Sequence, residues 1–420
     1  MRAVRIASVV AALSLLAAAS PRIGAALATA KLASPAATAP GQLDRTFGGD
    51  GRVLSAFDGP SQAVSVTLGP GHRYIVVGNT YDEQRSFMHG DIVRYLKKGD
   101  ISAAFGGGLV TTDFELVACA VQPDGKVVVD GFLRPPTSPV FRLEVARYRA
   151  NGTLDPSFGS GGRTLLDVPG GPTVGEIAIL PHGKILLTSG VSLIRFDPNG
   201  AIDTTFGAMG HARAPGFAVT SLAVQPDGKI VVAGVEAQEP WIDLFLARYR
   251  PNGTFDRTFG YGGKTRANAA ATGSASLADV AIQSTGGIIL MGPGRVARYT
   301  PKGMLDGSFG ENGVASGTFV DPVNDEDLSV AVQTDDRIVV AGFAVGQKNC
   351  CHEKFAVARY TRDGVHDRTF GGDGIVVTRF AIGGSRALGM ALVPPNRILL
   401  VGTAGRSFPG RFALARYLGG

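Results

Sequence analysis

Apolar residues along this chain come in short runs separated by Pro, Gly, Asn and Asp, with no helical spacing. Such runs predict strands joined by tight turns. The stretch from Ser221 to Gly263 shows the pattern most fully. Leu222–Val224 and Ile230–Ala233 flank the turn Gln225-Pro226-Asp227-Gly228-Lys229. After a polar segment, Phe245–Tyr249 is followed by Pro251-Asn252-Gly253 and the phrase Phe255-Asp256-Arg257-Thr258-Phe259-Gly260. A last short run begins at Gly263-Lys264-Thr265. The unit therefore supplies four strands, A to D in chain order.

The unit recurs. Its Phe-Gly phrase ends at Phe47, Phe105, Phe158, Phe206, Phe259, Phe309 and Phe370. An Arg-aromatic pair closes each C strand: Arg94-Tyr95, Arg147-Tyr148, Arg195-Phe196, Arg248-Tyr249, Arg298-Tyr299, Arg359-Tyr360 and Arg416-Tyr417. Seven copies of a four-stranded unit, with A and B apolar on both faces, predict an all-β, seven-bladed β-propeller of four antiparallel strands per blade. The chain enters on a D-type unit at Leu43 and leaves on a C strand at Tyr417. The N-terminal strand is thus expected to join the last blade and close the ring, covering two edges at once.

The phrases AVQPDGKIVVAG, FLARYRPNG and LDxxFGxxG resemble the delta-60 repeat family of secreted bacterial proteins, in a layout similar to NHL-type propeller repeats. The resemblance runs from Leu43 to the C-terminus. It implies a propeller-like repeat domain and no defined activity.

The N-terminus reads differently. Arg2 and Arg5 precede an apolar stretch from Ile6 to Ala19, and Ala28-Thr29-Ala30 suits cleavage. Residues 1–30 are expected to be a signal peptide, 31–42 a flexible linker and 43–420 one propeller domain, exported to the envelope or beyond. No later segment has the length and apolarity of a membrane-spanning helix. The net charge of +6 falls to about +3 without Arg2, Arg5 and Arg22, and most remaining Arg residues have a structural reading, so no nucleic-acid partner is indicated. Cys119 sits in an apolar run, and Cys350-Cys351 lie adjacent in a polar loop.

The repeated Arg points to the face of the apolar strand residues, where a buried cation needs a partner. The Asp of the following phrase supplies one. The expected structural pairs are Arg147 with Asp155, Arg195 with Asp203, Arg248 with Asp256, Arg298 with Asp306, Arg359 with Asp367 and, across the closure, Arg416 with Asp44. Ser102 replaces the Asp in the first blade and leaves Arg94 without one. The A–B and C–D turns share one uniform face. The B–C and D–A loops share the other and vary in length, so ligand binding is expected there. Weak candidates are Trp241, Glu239 and Asp243 in the loop Val235–Asp243, the only such loop with a Trp. Asp321, Asp325 and Asp327 are weaker candidates for a metal, and Cys350-Cys351-His352-Glu353 lacks the spacing of a tetrahedral site. No catalytic residue is named, because the six His are scattered and no nucleophile or phosphate motif is present.

The leading expectation is an exported monomeric propeller, without cofactor, that binds a protein, peptide or glycan through its B–C and D–A loops. A hydrolase or lyase acting at the channel mouth is one alternative, and a structural envelope component is the other.

Overall fold

The structure is a computed structural model. It describes residues 39–420 apart from 85–86, 134–141, 168–174, 215, 239–240, 268–277, 293, 316–328, 346–352 and 407–408, and for residues 237, 238, 241 and 242 the backbone alone. Seven antiparallel sheets follow one another along the chain. In the fourth blade, A (Ala218–Val224) pairs with B (Ile230–Gln238), B with C (Trp241–Tyr249) and C with D (Lys264–Arg266). The fifth sheet has three strands, and its D position is held by Val314, bridged to Ala297. The protein is a seven-bladed β-propeller with four strands per blade.

The last blade is closed by the N-terminal strand. Arg52–Ser55 pairs with Arg411–Leu418, in register from Arg52 opposite Ala415 to Ser55 opposite Phe412. The hydrophobic core is a set of inter-blade layers. One layer joins Val393, Leu399 and Phe412 of the last blade to Ala63, Val66 and Tyr74 of the first, so the ring has no open seam.

The repeated phrases build the joints between blades. Every Phe of the Phe-Gly phrase is fully buried, from Phe47 to Phe370. The blade's own Arg lies over that ring, with Arg195 4.4 Å from the Phe206 centroid and Arg416 4.7 Å from that of Phe47. Each phrase Gly then donates its N–H to the next blade's C–D turn, as Gly159 does to the Asn199 carbonyl at 2.7 Å. Only Gly suits this position. At Gly159 φ is +54°, and a Cβ would lie 2.1 Å from the Arg163 carbonyl oxygen. At the closure, Gly371 donates to Pro40 instead.

One segment expected to be a loop is largely strand. The segment Val235–Asp243 belongs to a long hairpin in which Glu236 faces Asp243 and Gln238 faces Trp241. The first blade extends likewise, from Arg73 to Asp82 and from Phe87 to Tyr95. Cross-strand pairing continues past the blade body because the polar residues alternate with residues that fit a pleated surface.

Candidate functional site

The Arg–Asp array is structural in its geometry. Arg147 Nε lies 2.9 Å from Asp155, Arg195 Nε 2.7 Å from Asp203, Arg248 Nε 2.9 Å from Asp256, Arg298 Nε 2.8 Å from Asp306, Arg359 Nε 2.9 Å from Asp367 and Arg416 Nε 3.0 Å from Asp44. The Arg also reaches into the next blade, as where Arg94 donates to Ala150 O at 2.7 Å and Arg298 to Arg362 O at 2.9 Å. One guanidinium thus holds its own Asp, a buried Phe ring and a neighbouring turn. A second cation, from the A–B turn, joins in four blades: Lys126, Lys184, Arg337 and Arg397 approach Asp155, Asp203, Asp367 and Asp44. This use of the turn's basic residue was not foreseen, because a Lys in a Pro-Asp-Gly-Lys turn reads as solvated. In the first blade Arg94 Nη2 donates to Ser102 Oγ at 3.1 Å, and its buried Nε has no hydrogen-bond partner among the described residues.

The loop candidates do not assemble into a site among the described residues. Asp243 is buried and ion-paired with Arg266 on the adjacent strand. Glu239, the side chain of Trp241, and Asp321, Asp325 and Asp327 lie outside the described residues, as do Cys350, Cys351 and His352. Glu353 is described and chelates Arg386, with Nη2 2.7 Å from Oε1. Among the described residues no three His, Cys, Asp or Glu are placed to hold a metal.

The structure draws attention to the central channel instead. A cavity of about 700 Å³ is lined by the A strands of all seven blades. The register with strand B puts seven residues at one level of this channel: Ser65, Ala118, Glu176, Ser221, Asp279, Ser329 and Gly389. Five are small. Two are acidic, and they flank Ser221.

Ser221 Oγ lies 2.9 Å from Glu176 Oε2 and 2.7 Å from Asp279 Oδ1. It also accepts the Val280 N–H at 3.2 Å. Glu176 Oε2 accepts the Leu222 N–H at 2.9 Å, and Asp279 Oδ2 accepts the Val330 N–H at 2.7 Å. A serine hydroxyl has one proton. It cannot donate to both carboxylates, so the contact is satisfied only if one carboxyl keeps its own proton. Burial and then the Asp279 charge push Glu176 up to about 8, and burial raises Asp279 as well. The array is thus a neutral acid and a carboxylate bridged by a hydroxyl. One blade away Asp130, fully buried on strand B, accepts the Ala118 N–H at 3.0 Å, and burial pushes it up to about 7. The lining also carries Leu388 and Met390, half-buried on the seventh blade with Arg386 beside them, while Leu116 and Phe132 are buried in the inter-blade layers. Cys119 is buried and free, and burial raises its thiol to about 12, which leaves it unreactive.

The A strands begin at the D–A loops, so this mouth opens on the variable face. Glu176 and Asp279 escaped notice in the sequence because each is one acid in an apolar strand. Stacking the seven A strands on their AVQ-type segments would have exposed them, since the residue two positions before the segment is acidic in only two copies.

Three segments, residues 122–158, 181–206 and 225–259, match a family described as a domain of unknown function (DUF5122) beta-propeller. The chain is a β-propeller repeat protein. No curated protein matches it in sequence. Among solved structures, this propeller is similar to a catalytically inactive virginiamycin B lyase from Staphylococcus aureus with quinupristin, at 10% identity over 87% of this chain and 99% of the other, with a TM-score of 0.52. The beta-propeller domain of the trilobed protease from Pyrococcus furiosus matches at 12% identity over 86% and 94%, with a TM-score of 0.45. At these identities the first likeness bears on the fold alone. Among the described residues no helix is long and apolar enough to cross a membrane.

Proposed function

We propose that the protein is an exported propeller that binds the end of a glycan, or a similar hydroxyl-rich ligand, at the acid-lined mouth of its channel. The observation that carries this reading is the bridge from Glu176 through Ser221 to Asp279, built by three different blades on the wall of a cavity of about 700 Å³. A cavity of that size falls in the range of small-ligand sites, roughly 300–1,000 Å³. Carboxylate oxygens accept from sugar hydroxyls, while the half-buried Leu388 and Met390 offer an apolar surface to the sugar ring. The paired strands of the fourth blade's long B–C hairpin extend on the same side and would meet the rest of a longer ligand.

A second reading, a hydrolase or lyase at the same mouth, is favoured by the protonated state of Glu176 near neutrality. A neutral acid beside an ionised carboxylate is a pairing used for general acid catalysis. Both readings are tested on one glycan array followed by a product-release assay. Asp279→Asn is expected to weaken capture at least tenfold, with Trp241→Ala having a smaller effect. Capture unchanged in Asp279→Asn removes the channel mouth from the site. Release of product by the wild type but not by Glu176→Gln turns the reading to an enzyme.

A further inference from the structure

The internal repeats expose a vacancy on the opposite, uniform face. Four blades set an A–B turn cation beside the phrase Asp; in the third, Lys184 Nζ and Arg195 Nε both lie on Asp203 Oδ2, at 2.6 and 2.7 Å. In the fifth blade the turn is Gln283-Ser284-Thr285-Gly286-Gly287, and Gly287 stands where the cation would be. Asp306 Oδ2 accepts from Arg298 Nε at 2.8 Å, and no second nitrogen among the described residues is recorded on it. Its side chain is 25% exposed, against 2% for Asp203 and 3% for Asp155.

The space left is a cavity of about 350 Å³ between the fifth and sixth blades. Its charged lining is Asp306, Asp336, Asp363, Arg298 and Arg362, three acids against two bases. The slot is therefore short of one positive charge, which is the charge that four other blades supply from their own turn. Its wall is fixed: Asp336 accepts from Ser284 N at 2.7 Å, and Gln283 Nε2 donates to the carbonyls of Asp336 and Arg362 at 3.1 and 3.0 Å.

We infer that this slot binds a primary ammonium or guanidinium from outside the chain, the cation taking the position that Lys184 occupies in the third blade. A lysine side chain of a partner and a free amine offer the same chemistry. The inference rests on the turn face and stands apart from the channel mouth.

The test titrates the full-length protein with 1,5-diaminopentane and with a blocked lysine tripeptide, following saturable heat or chemical-shift change at low salt. The same peptide acetylated on Nε is the control. Binding of the diamine and the peptide marks a site that reads the cation itself, and binding of the peptide alone marks a protein-docking site; the acetylated peptide binds at least tenfold more weakly. Gly287→Lys fills the slot from within. A Cβ there lies 2.9 Å from Gln283 Oε1 and 3.2 Å from Arg298 Cδ, so these two side chains must shift slightly to admit it, and φ is outside the left-handed region. That variant is expected to melt at or above the wild-type temperature while losing at least tenfold in affinity, and Asp306→Asn to lose affinity as well. No saturable binding by either probe, or binding unchanged in a folded Gly287→Lys protein, overturns the inference.

Discussion

Asp44→Ala tests the ring closure at one residue. Asp44 precedes the closing strand and is 3% exposed; Arg416, on the last strand, is 1% exposed. Asp44 accepts from Arg416 Nε at 3.0 Å, Arg397 Nε at 2.5 Å, Thr46 N at 3.0 Å and Thr46 Oγ1 at 2.6 Å. Removing one partner of a buried pair costs about 3–5 kcal/mol. Arg416 would keep the Tyr74 and Thr46 hydroxyls and the face of Phe47, which places the loss at the lower end, ~3 kcal/mol. Unfolding entropy near 2.1 cal/mol/K per residue gives about 0.8 kcal/mol/K for a domain of this length, so the melting temperature should drop by ~4 °C. The sign with pH follows. Burial opposes ionisation of Asp44, but its bonds to Thr46 and Arg397 and the Arg416 charge prevail and hold the carboxyl below its ordinary range. The stabilisation is present above the unfolded pKa of about 3.9 and is lost as pH falls through the lower folded value. Calorimetry at pH 7 and pH 3 should show the gap between wild type and variant shrink in acid. A variant melting within 1 °C of wild type at pH 7 would refute the closure energetics.

Three further outcomes are expected. Deleting residues 43–57 should lower the melting temperature far more than Asp44→Ala and cause aggregation through the bared edge of Arg411–Leu418, read by light scattering on heating; an unchanged melt would count against closure by this strand. Ser102→Asp should stabilise the protein by about 1–2 kcal/mol in urea unfolding, because it gives the buried Arg94 Nε the acceptor it lacks; a destabilised variant would show that the pocket cannot admit a carboxylate. Glu176 holds its proton more tightly folded than unfolded, so its contribution is full below its ordinary value of 4.5 and fades as pH rises toward about 8. Melting temperatures at pH 5, 7 and 9 should fall more steeply in wild type than in Glu176→Gln, and parallel slopes would remove the shared proton from the channel.

The blade architecture was legible because each blade repeats the same solution. Phe259 and Arg248 have counterparts in every blade, and the Asp of the phrase fails only at Ser102. The channel site was not legible in that way. Glu176 and Asp279 are departures from the repeat, and their meaning depends on Ser221 lying between them in space, with partners 45 and 58 residues away in sequence. The hairpin at Val235–Asp243 was misjudged as a loop for a related reason. Its polar residues suggested a solvated turn, yet Glu236 and Asp243 sit opposite one another in a ladder that the rest of the blade extends. Repetition reveals what a fold requires of every unit, whereas the proposed channel site lies in positions where one unit differs from the rest.

The strand that closes the ring also sets the order of events during synthesis. Leu43 pairs with Tyr417, and Asp44 N donates to Arg416 O, so residues 43–55 have no partner until residues 411–418 have been made. Neighbouring blades can pack as they emerge, but the seam closes last, against the loop-closure entropy of nearly the whole chain. Until then both edges of the ring stay open. Without Arg411–Leu418, both Arg52–Ser55 and Arg397–Gly405 would lose the strand that lies between them, and the seventh blade would fall into two unpaired edges.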